Sequence, residues 1–362
     1  MSSKPLIGSY RAEDCQFLLQ SVDVPMLSVE EKERLLQRGG MHYSQLISQE
    51  HPPSAKYLDI FHSLVEKYKL RLAGEVASLA AQIVASRGSE VTLLSLARAG
   101  TPIGVLLARA LKHYFDTDVV HYSVSIVRDK GIDEQALRYV EQSGRSAQSV
   151  LFVDGWTAKG VITQELKAAV AKWNAGSDYQ LSDELCVISD IGGMADMTAT
   201  VDDYTIPSGI LNSTVSGLVS RTILRDEFEG FHQCVLYDHL REHDLSVWFV
   251  DQVSALFDEV LPDAAQVHNY SEQSVQRHRE MKSYIEQLMQ RYSIGDINKV
   301  KPGIAEATRV MLRRVPKLLI VRNLGSDDAS HLLVLAAEKQ IEVLEDQTMP
   351  FNAIAIVANV KE

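Results

Sequence analysis

Val150, Leu151, Phe152 and Val153 form an apolar run without alternation, and this run admits few folds. A strand with one face in water alternates polar and apolar residues; a run without polar positions is buried on both faces, as in a parallel sheet covered by helices on each side. The run ends at Asp154, turns through "GWTAKG", and restarts with Val161, Ile162, Leu166, Val170 and Trp173 at helical spacing. The same rhythm surrounds it. "VTLLSL" reads as a strand, "TPIGVLLARALKHYF" as a helix with Pro102 at its start, "VVHYSVSIV" and "LCVISDIGG" as further strands. A βαβαβ order over 91–195 implies a doubly wound parallel sheet.

The flanks are read more coarsely. Residues 1–90 look like a helical N-terminal extension: Ser28 and Glu31 form a capping box, Gly39–Gly40 closes that helix, a Pro-Pro break follows, and two further helices lead to Gly88. The sheet domain is expected over 91–270, a polar helical connector over 271–295, and a small α/β domain over 296–362. At 362 residues, 46% of them hydrophobic, the chain is long enough for two domains. A net charge of −12 argues against a surface coated with nucleic acid, while leaving room for a local basic patch. No signal-like or membrane-length apolar run occurs, and Cys15, Cys186 and Cys234 show no CxxC spacing; a cytoplasmic protein with no membrane partner is expected.

In a parallel sheet the loops after successive strands share one edge. Three such loops carry chemistry: "LARAG" with Arg98, "RDKG" with Arg128 and Lys130, and the Asp154 turn. A helix start behind glycines and a guanidinium suits an anionic group, and the second loop is polar enough to serve as a lid. An ordinary βα loop capped by Thr157 remains open for the third.

The ordered trio resembles type I phosphoribosyltransferases, whose substrate is phosphoribosyl pyrophosphate with Mg²⁺. The resemblance implies that Ala97, Arg98, Ala99 and Gly100 cradle pyrophosphate, and that Asp154, Gly155, Thr157, Ala158, Lys159 and Gly160 hold the ribose and its phosphate. Arg98, Asp154, Arg128 and Lys130 would be catalytic, with Asp154 and Asp190 as metal candidates. The acceptor base would meet Asp202, Asp203, Tyr204, Asn212, Ser216 and Arg221; His42 and Tyr43 are weaker candidates. Two departures stand out: Gly155 replaces the second acid of the family's pattern, and Lys159 is unusual at its position.

"HYSQL", "DGWTAKG", "DDYTIPSGILNSTVSGLVSRT" and "GIAEATRVMLRRVP" resemble a bacterial subgroup associated with tellurite-resistance and stress operons, also named the cysteine protease StiP family. Its members carry a C-terminal PELOTA-type RNA-binding domain. Residues 299–322 hold seven Lys or Arg against one Glu, which suits phosphate contacts. By the same resemblance Gly303, Glu306, Thr308, Arg309, Arg313 and Arg314 would meet RNA. The expected activity is therefore a phosphoribosyl transfer, with a small-molecule phosphoribosyl substrate and a structured RNA as partners and a homodimer as an open state. Two alternatives stand beside it. One is a thiol hydrolase, for which Cys234 lies two residues from His232 with His239 and His243 following; the other is a non-catalytic, phosphoribosyl-pyrophosphate-sensing RNA-binding protein.

Overall fold

The computed structural model of the chain describes residues 4–28, 35, 43–225 and 228–358. β1 (Gln16–Leu18), β2 (Glu90–Leu96), β3 (Asp118–Val124), β4 (Val150–Val153), β5 (Leu185–Asp190), β6 (Met197–Thr200) and β7 (His268–Asn269) lie in the order β1–β3–β2–β4–β5–β6–β7, and Trp156–Thr157 also pairs with β5. All neighbours run parallel except β6 and β7. Adjacent residues point to opposite faces, so each apolar run feeds two cores. Leu93 and Val153 join one cluster with Phe61, Leu72, Val105 and Phe249, from α1 (Ala55–Arg87), α2 (Gly100–Phe115) and a later helix, Ser246–Ser254. Leu94 and Phe152 join the other, with Leu137 and Val140 of α3 (Glu134–Gln142) and Leu166, Val170 and Trp173 of α4 (Val161–Asn174). The fold is thus α/β and doubly wound, with Ser246–Ser254 as α5.

The N-terminal segment departs from the helical reading. Gln16–Leu18 is an edge strand of the main sheet, because Phe17 and Leu18 are both fully buried, one in each core. Residues 55–87 form one helix of 33 residues instead of two. The Ser54 side chain accepts the N–H of Tyr57 at its start, and Gly88, at φ 78°, returns its N–H to Val84 at its end. No proline interrupts it, and a good N-cap contributes about 1 kcal/mol. Glu31 of the expected capping box, Gly39–Gly40 and His42 lie outside the described residues; Tyr43 opens a short 3-10 turn.

A second unit follows: α6 (Glu272–Arg291), β8 (Val300–Pro302), α7 (Ile304–Arg313), β9 (Pro316–Val321), α8 (Ser330–Glu338), β10 (Val343–Glu345) and β11 (Ala353–Val357). Its strands run in the order β8–β11–β9–β10. Ile304, Val310 and Met311 of α7 and Leu332 and Leu335 of α8 cover one face. Met281, Ile285 and Leu288 of α6 cover the other, against Leu318, Ile320 and Ile354. The polar helix read as a connector is therefore a structural layer of this unit; its narrow apolar stripe is hidden in a polar composition.

Candidate functional site at the carboxyl edge and the domain junction

The three loops do converge. A Cβ on Gly100 would lie 2.4 Å from the Val153 carbonyl oxygen and 3.1 Å from Asp154 Cα, and one on Gly155 would lie 3.3 Å from the Ala99 oxygen. The first and third turns are therefore packed backbone to backbone, which only glycines allow. The second loop is pinned down as well: Glu165 on α4 accepts the N–H groups of Asp129 and Gly131, both at 2.9 Å, so residues 126–132 make a small hairpin. Lys130 points to solvent, and Arg128 reaches Asn298 of the second unit at 3.3 Å.

Arg98, Asp190, Lys159, Asp203, Asp202 and Arg221 each have a partner within the protein that competes with the expected role. Arg98 donates to Glu50 at 2.8 Å and to the Val219 carbonyl at 3.2 Å. Glu50 also accepts the Ser213 hydroxyl at 2.7 Å. Burial alone would raise the Glu50 carboxyl, but Arg98 and Ser213 outweigh it and hold it below the ordinary range. Asp190 is bonded through both oxygens: one takes the Thr157 hydroxyl and the Met194 N–H, the other the Ala195 N–H. Among the described residues the Asp154 side chain accepts a single hydrogen bond, from the Gly155 N–H at 2.7 Å, and burial pushes its carboxyl up to about 7. Among the described residues no three His, Cys, Asp or Glu side chains gather into a metal-holding group. With both Asp190 oxygens engaged by protein donors and Gly155 leaving no second acid, these residues do not fit a protein-held Mg²⁺.

Lys159 is explained by the second unit. Its ammonium donates to the carbonyls of Ile297 and Val300 at 3.0 and 3.1 Å, so the turn that was read as a phosphate cradle tethers the C-terminal sheet. Asp203 does the same from the opposite wall. Its carboxylate accepts the N–H of Ile304 at 2.8 Å, of Asn352 at 2.8 Å and of Ala353 at 3.3 Å, while its carbonyl accepts the Asn352 side chain. Burial nevertheless lifts the Asp203 carboxyl to about 6. Asp202 pairs with Arg71 at 2.9 Å, and the Arg71 guanidinium lies 4.0 Å over the Tyr204 ring. Arg221 bonds the Leu46 carbonyl. Of the six expected acceptor residues, only Asn212 and Ser216 line the larger cavity, about 180 Å³, whose walls also include Arg98, Trp156 and Arg309.

The residues expected to meet RNA divide likewise. Gly303, at φ 95°, is buried against Ile191 and Asp203, and Thr308 is buried with its hydroxyl on Ile304 and His331. Glu306 and Arg309 pair with each other at 2.8 Å and remain half-buried at the cleft; Arg314 is exposed. The Arg313 side chain lies outside what is described. The cysteines are all buried, with Cys186 and Cys234 pushed up to about 12 by burial and Cys15 also raised. His239 and His243 belong to a 3-10 segment, Asp238–His243, with His239 on the Glu50 carbonyl.

Residues 8–254 match the family described as "Tellurite-like stress resistance cysteine protease StiP", and residues 279–359 match the PELOTA RNA binding domain. The chain belongs to the StiP family. A StiP relative from Acinetobacter baylyi, named "Cysteine protease StiP", is 38% identical over 366 residues, covering 97% of this chain and 94% of the relative. Two solved structures share a loose likeness. One is an alanine mutant titled as an analysis of an invariant aspartic acid in HPRTs, at 16% identity over 37% of this chain and 77% of that chain, with a TM-score of 0.26. The other is a mutant hypoxanthine phosphoribosyltransferase from Trypanosoma cruzi, at 15% identity over 49% and 91%, with a TM-score of 0.27. Scores this low have no bearing on activity.

The StiP relative overturns the expectation of a Mg²⁺- and phosphoribosyl-pyrophosphate-dependent transferase, since the name carried over nearly the whole length is that of a cysteine protease. The pairing of Arg98 with Glu50, the protein donors on both Asp190 oxygens and the tether made by Lys159 agree with that correction. Among the described residues no helix is long and apolar enough to cross a membrane.

Proposed function

We propose that the chain is a thiol protease joined to an RNA-binding unit, with Cys234 as the nucleophile. The observation that carries the reading is its relationship, at 38% identity across almost both full chains, to a protein named cysteine protease. Position selects Cys234 among the three thiols. Cys186 sits at the amino end of β5 and Cys15 just before β1, whereas Gln233–Cys234 pairs with Gln20–Ser21 beyond the carboxyl end of β1, on the edge that carries Arg98. Arg98 is the neighbour that lowers the Cys234 thiol, and His232 precedes it by two positions. A protease needs a thiolate; Arg98 favours one, while the His232 imidazole, held on the Ser125 hydroxyl at 2.8 Å, has to turn toward Cys234 to act as its base. The Cys234 thiol has no exposure and burial pushes it up to about 12, so this reading requires the chain around Gln233–Cys234 to open before substrate can reach it.

The test is hydrolysis of fluorescently labelled casein by wild type, by Cys234→Ser, and by wild type alkylated with iodoacetamide, with the alkylated thiol mapped by mass spectrometry. Activity lost in the variant and in protein alkylated at Cys234 supports the proposal. Full activity in Cys234→Ser removes Cys234 from the chemistry.

A second reading is favoured by the burial of all three thiols: a non-catalytic RNA-binding protein of the stress response. Absence of any hydrolysis, together with retained RNA binding, selects it.

A further inference from the structure

The junction between the two units gathers cations from both. Lys301 of β8 is half-buried, and among the described residues its ammonium has no hydrogen bond and no ion pair. The charges acting on it are those of Glu306, which favours it, and of Arg314, Arg309 and Arg128, which oppose it. Arg128 comes from the core hairpin and is held toward the second unit by Asn298. Lys159, also from the core, feels Lys301 and Arg128 as like charges and has Glu306 and Asp296 as counter-charges. Burial first, then these neighbours, bring Lys159 down to about 8 and depress Lys301 as well. Among the described residues, Lys301, Arg314, Arg309, Arg128 and Lys159 therefore face Glu306 and Asp296 here, in a chain whose net charge is −12. A half-buried ammonium without a counter-ion is unfavourable unless an anion completes it.

We propose that this junction is one composite phosphate-binding surface for the RNA backbone, in which Arg128 and Lys159 of the core complete what Lys301, Arg309 and Arg314 of the C-terminal unit begin. The inference rests on the RNA-binding reading of the C-terminal unit and adds to it the core residues. The arrangement accounts for the hairpin anchored on Glu165, which fixes the base of Arg128, and for the lysine in the 154–160 turn. It also explains how RNA can be held although Gly303 is covered by Ile191 and Asp203 of the core and Thr308 is buried within its own unit. A phosphodiester is recognised here by charge, with no base read by the core.

The test uses the full chain. Binding of a short fluorescently labelled RNA hairpin is followed by anisotropy across about 50–200 mM salt, for wild type, Lys301→Ala, Arg128→Glu and, as a distant control, Lys339→Ala at the exposed end of α8. Inorganic phosphate is titrated separately, and circular dichroism checks each fold. The proposal expects weaker RNA binding for Lys301→Ala and Arg128→Glu, with the slope of log affinity against log salt reduced by about one for each cation removed, and no change for Lys339→Ala. If Lys301→Ala weakens binding while Arg128→Glu matches wild type, the C-terminal unit binds alone and the composite surface is overturned. If wild type binds inorganic phosphate at this junction but no RNA, the RNA assignment is overturned together with the reading on which it rests.

Discussion

The Asp203 carboxylate of the core accepts the Ile304 N–H at 2.8 Å and so caps the first turn of α7 in the second unit. The same carboxylate takes Asn352 and Ala353, which makes one side chain the principal hydrogen-bonding link between the cores on that wall. Replacing it by Ala leaves three buried N–H groups without an acceptor, at a cost of about 2–3 kcal/mol to docking. Asp203→Ala is therefore expected to speed proteolytic cleavage between the units, at residues 270–271 between β7 and α6, without lowering the stability of the doubly wound core. Unchanged cleavage kinetics would show that Lys159 on Ile297 and Val300, with Tyr68 and Lys67 of α1 on Asp328 and Asp327, holds the units together unaided.

Glu50 and Arg98 predict a non-additive pair. Both are largely buried and bonded at 2.8 Å. Removing one partner strands the other charge; the cost for a buried pair is about 3–5 kcal/mol. Glu50→Ala should lose that much in urea unfolding, whereas Glu50→Leu combined with Arg98→Met should recover most of it. Additive losses in the double variant would mean that the two side chains are not coupled, and the short distance would have no energetic content.

The elements set by local pattern were legible in the sequence. Val150–Val153 declares a twice-covered strand because every position is apolar, Leu185–Ile188 does the same before the strand ends in Ser189 and Asp190, and Pro102 and Gly88 mark where helices begin and end. The edge strand at Phe17 was not, because three residues are too few to show a period and its burial depends on β3, more than a hundred positions away. The site was legible as a set of loops on one edge and misread as chemistry. Lys159 to Val300, Asp203 to Ile304 and Arg98 to Glu50 each join residues separated by 48 to 141 positions, and no local spacing encodes such partners. A turn built to hold a ligand and one built to hold another domain both need glycines, a hydroxyl and a charge.

Asp154 gives a pH dependence with a definite sign. Burial lifts its carboxyl to about 7, above the unfolded value of about 3.9. The folded state thus binds the proton more tightly, so the contribution is fully present below about pH 4 and is lost as pH rises through about 7. The difference corresponds to a few kcal/mol, on the order of 2–4 after relaxation. Asp154→Asn, which cannot ionise, should be more stable than wild type at pH 8 and should lose that advantage by pH 4. Parallel stability curves for the two proteins over that range would refute the buried, unpaired carboxyl.

Two glycines separate close packing from mere helix propensity. At Gly100 an added Cβ would stand 2.4 Å from the Val153 carbonyl oxygen, an overlap with backbone that no rotamer relieves. Gly100→Ala must push the Arg98 turn away from the Asp154 turn, so a loss of about 1–3 kcal/mol or more is expected. At Gly74, inside α1, the nearest atom to the new Cβ is Val260 Cγ1 at 4.0 Å, an ordinary contact. Gly74→Ala should therefore stabilise by about 0.5–1 kcal/mol, through the smaller backbone entropy of alanine. Thermal unfolding of both variants checks the contrast: a raised Tm for Gly74→Ala and a lowered one for Gly100→Ala. Equal, small shifts at both positions would mean that the 97–100 and 154–155 turns are not in contact, and the convergence of the loops at one edge would fall with them.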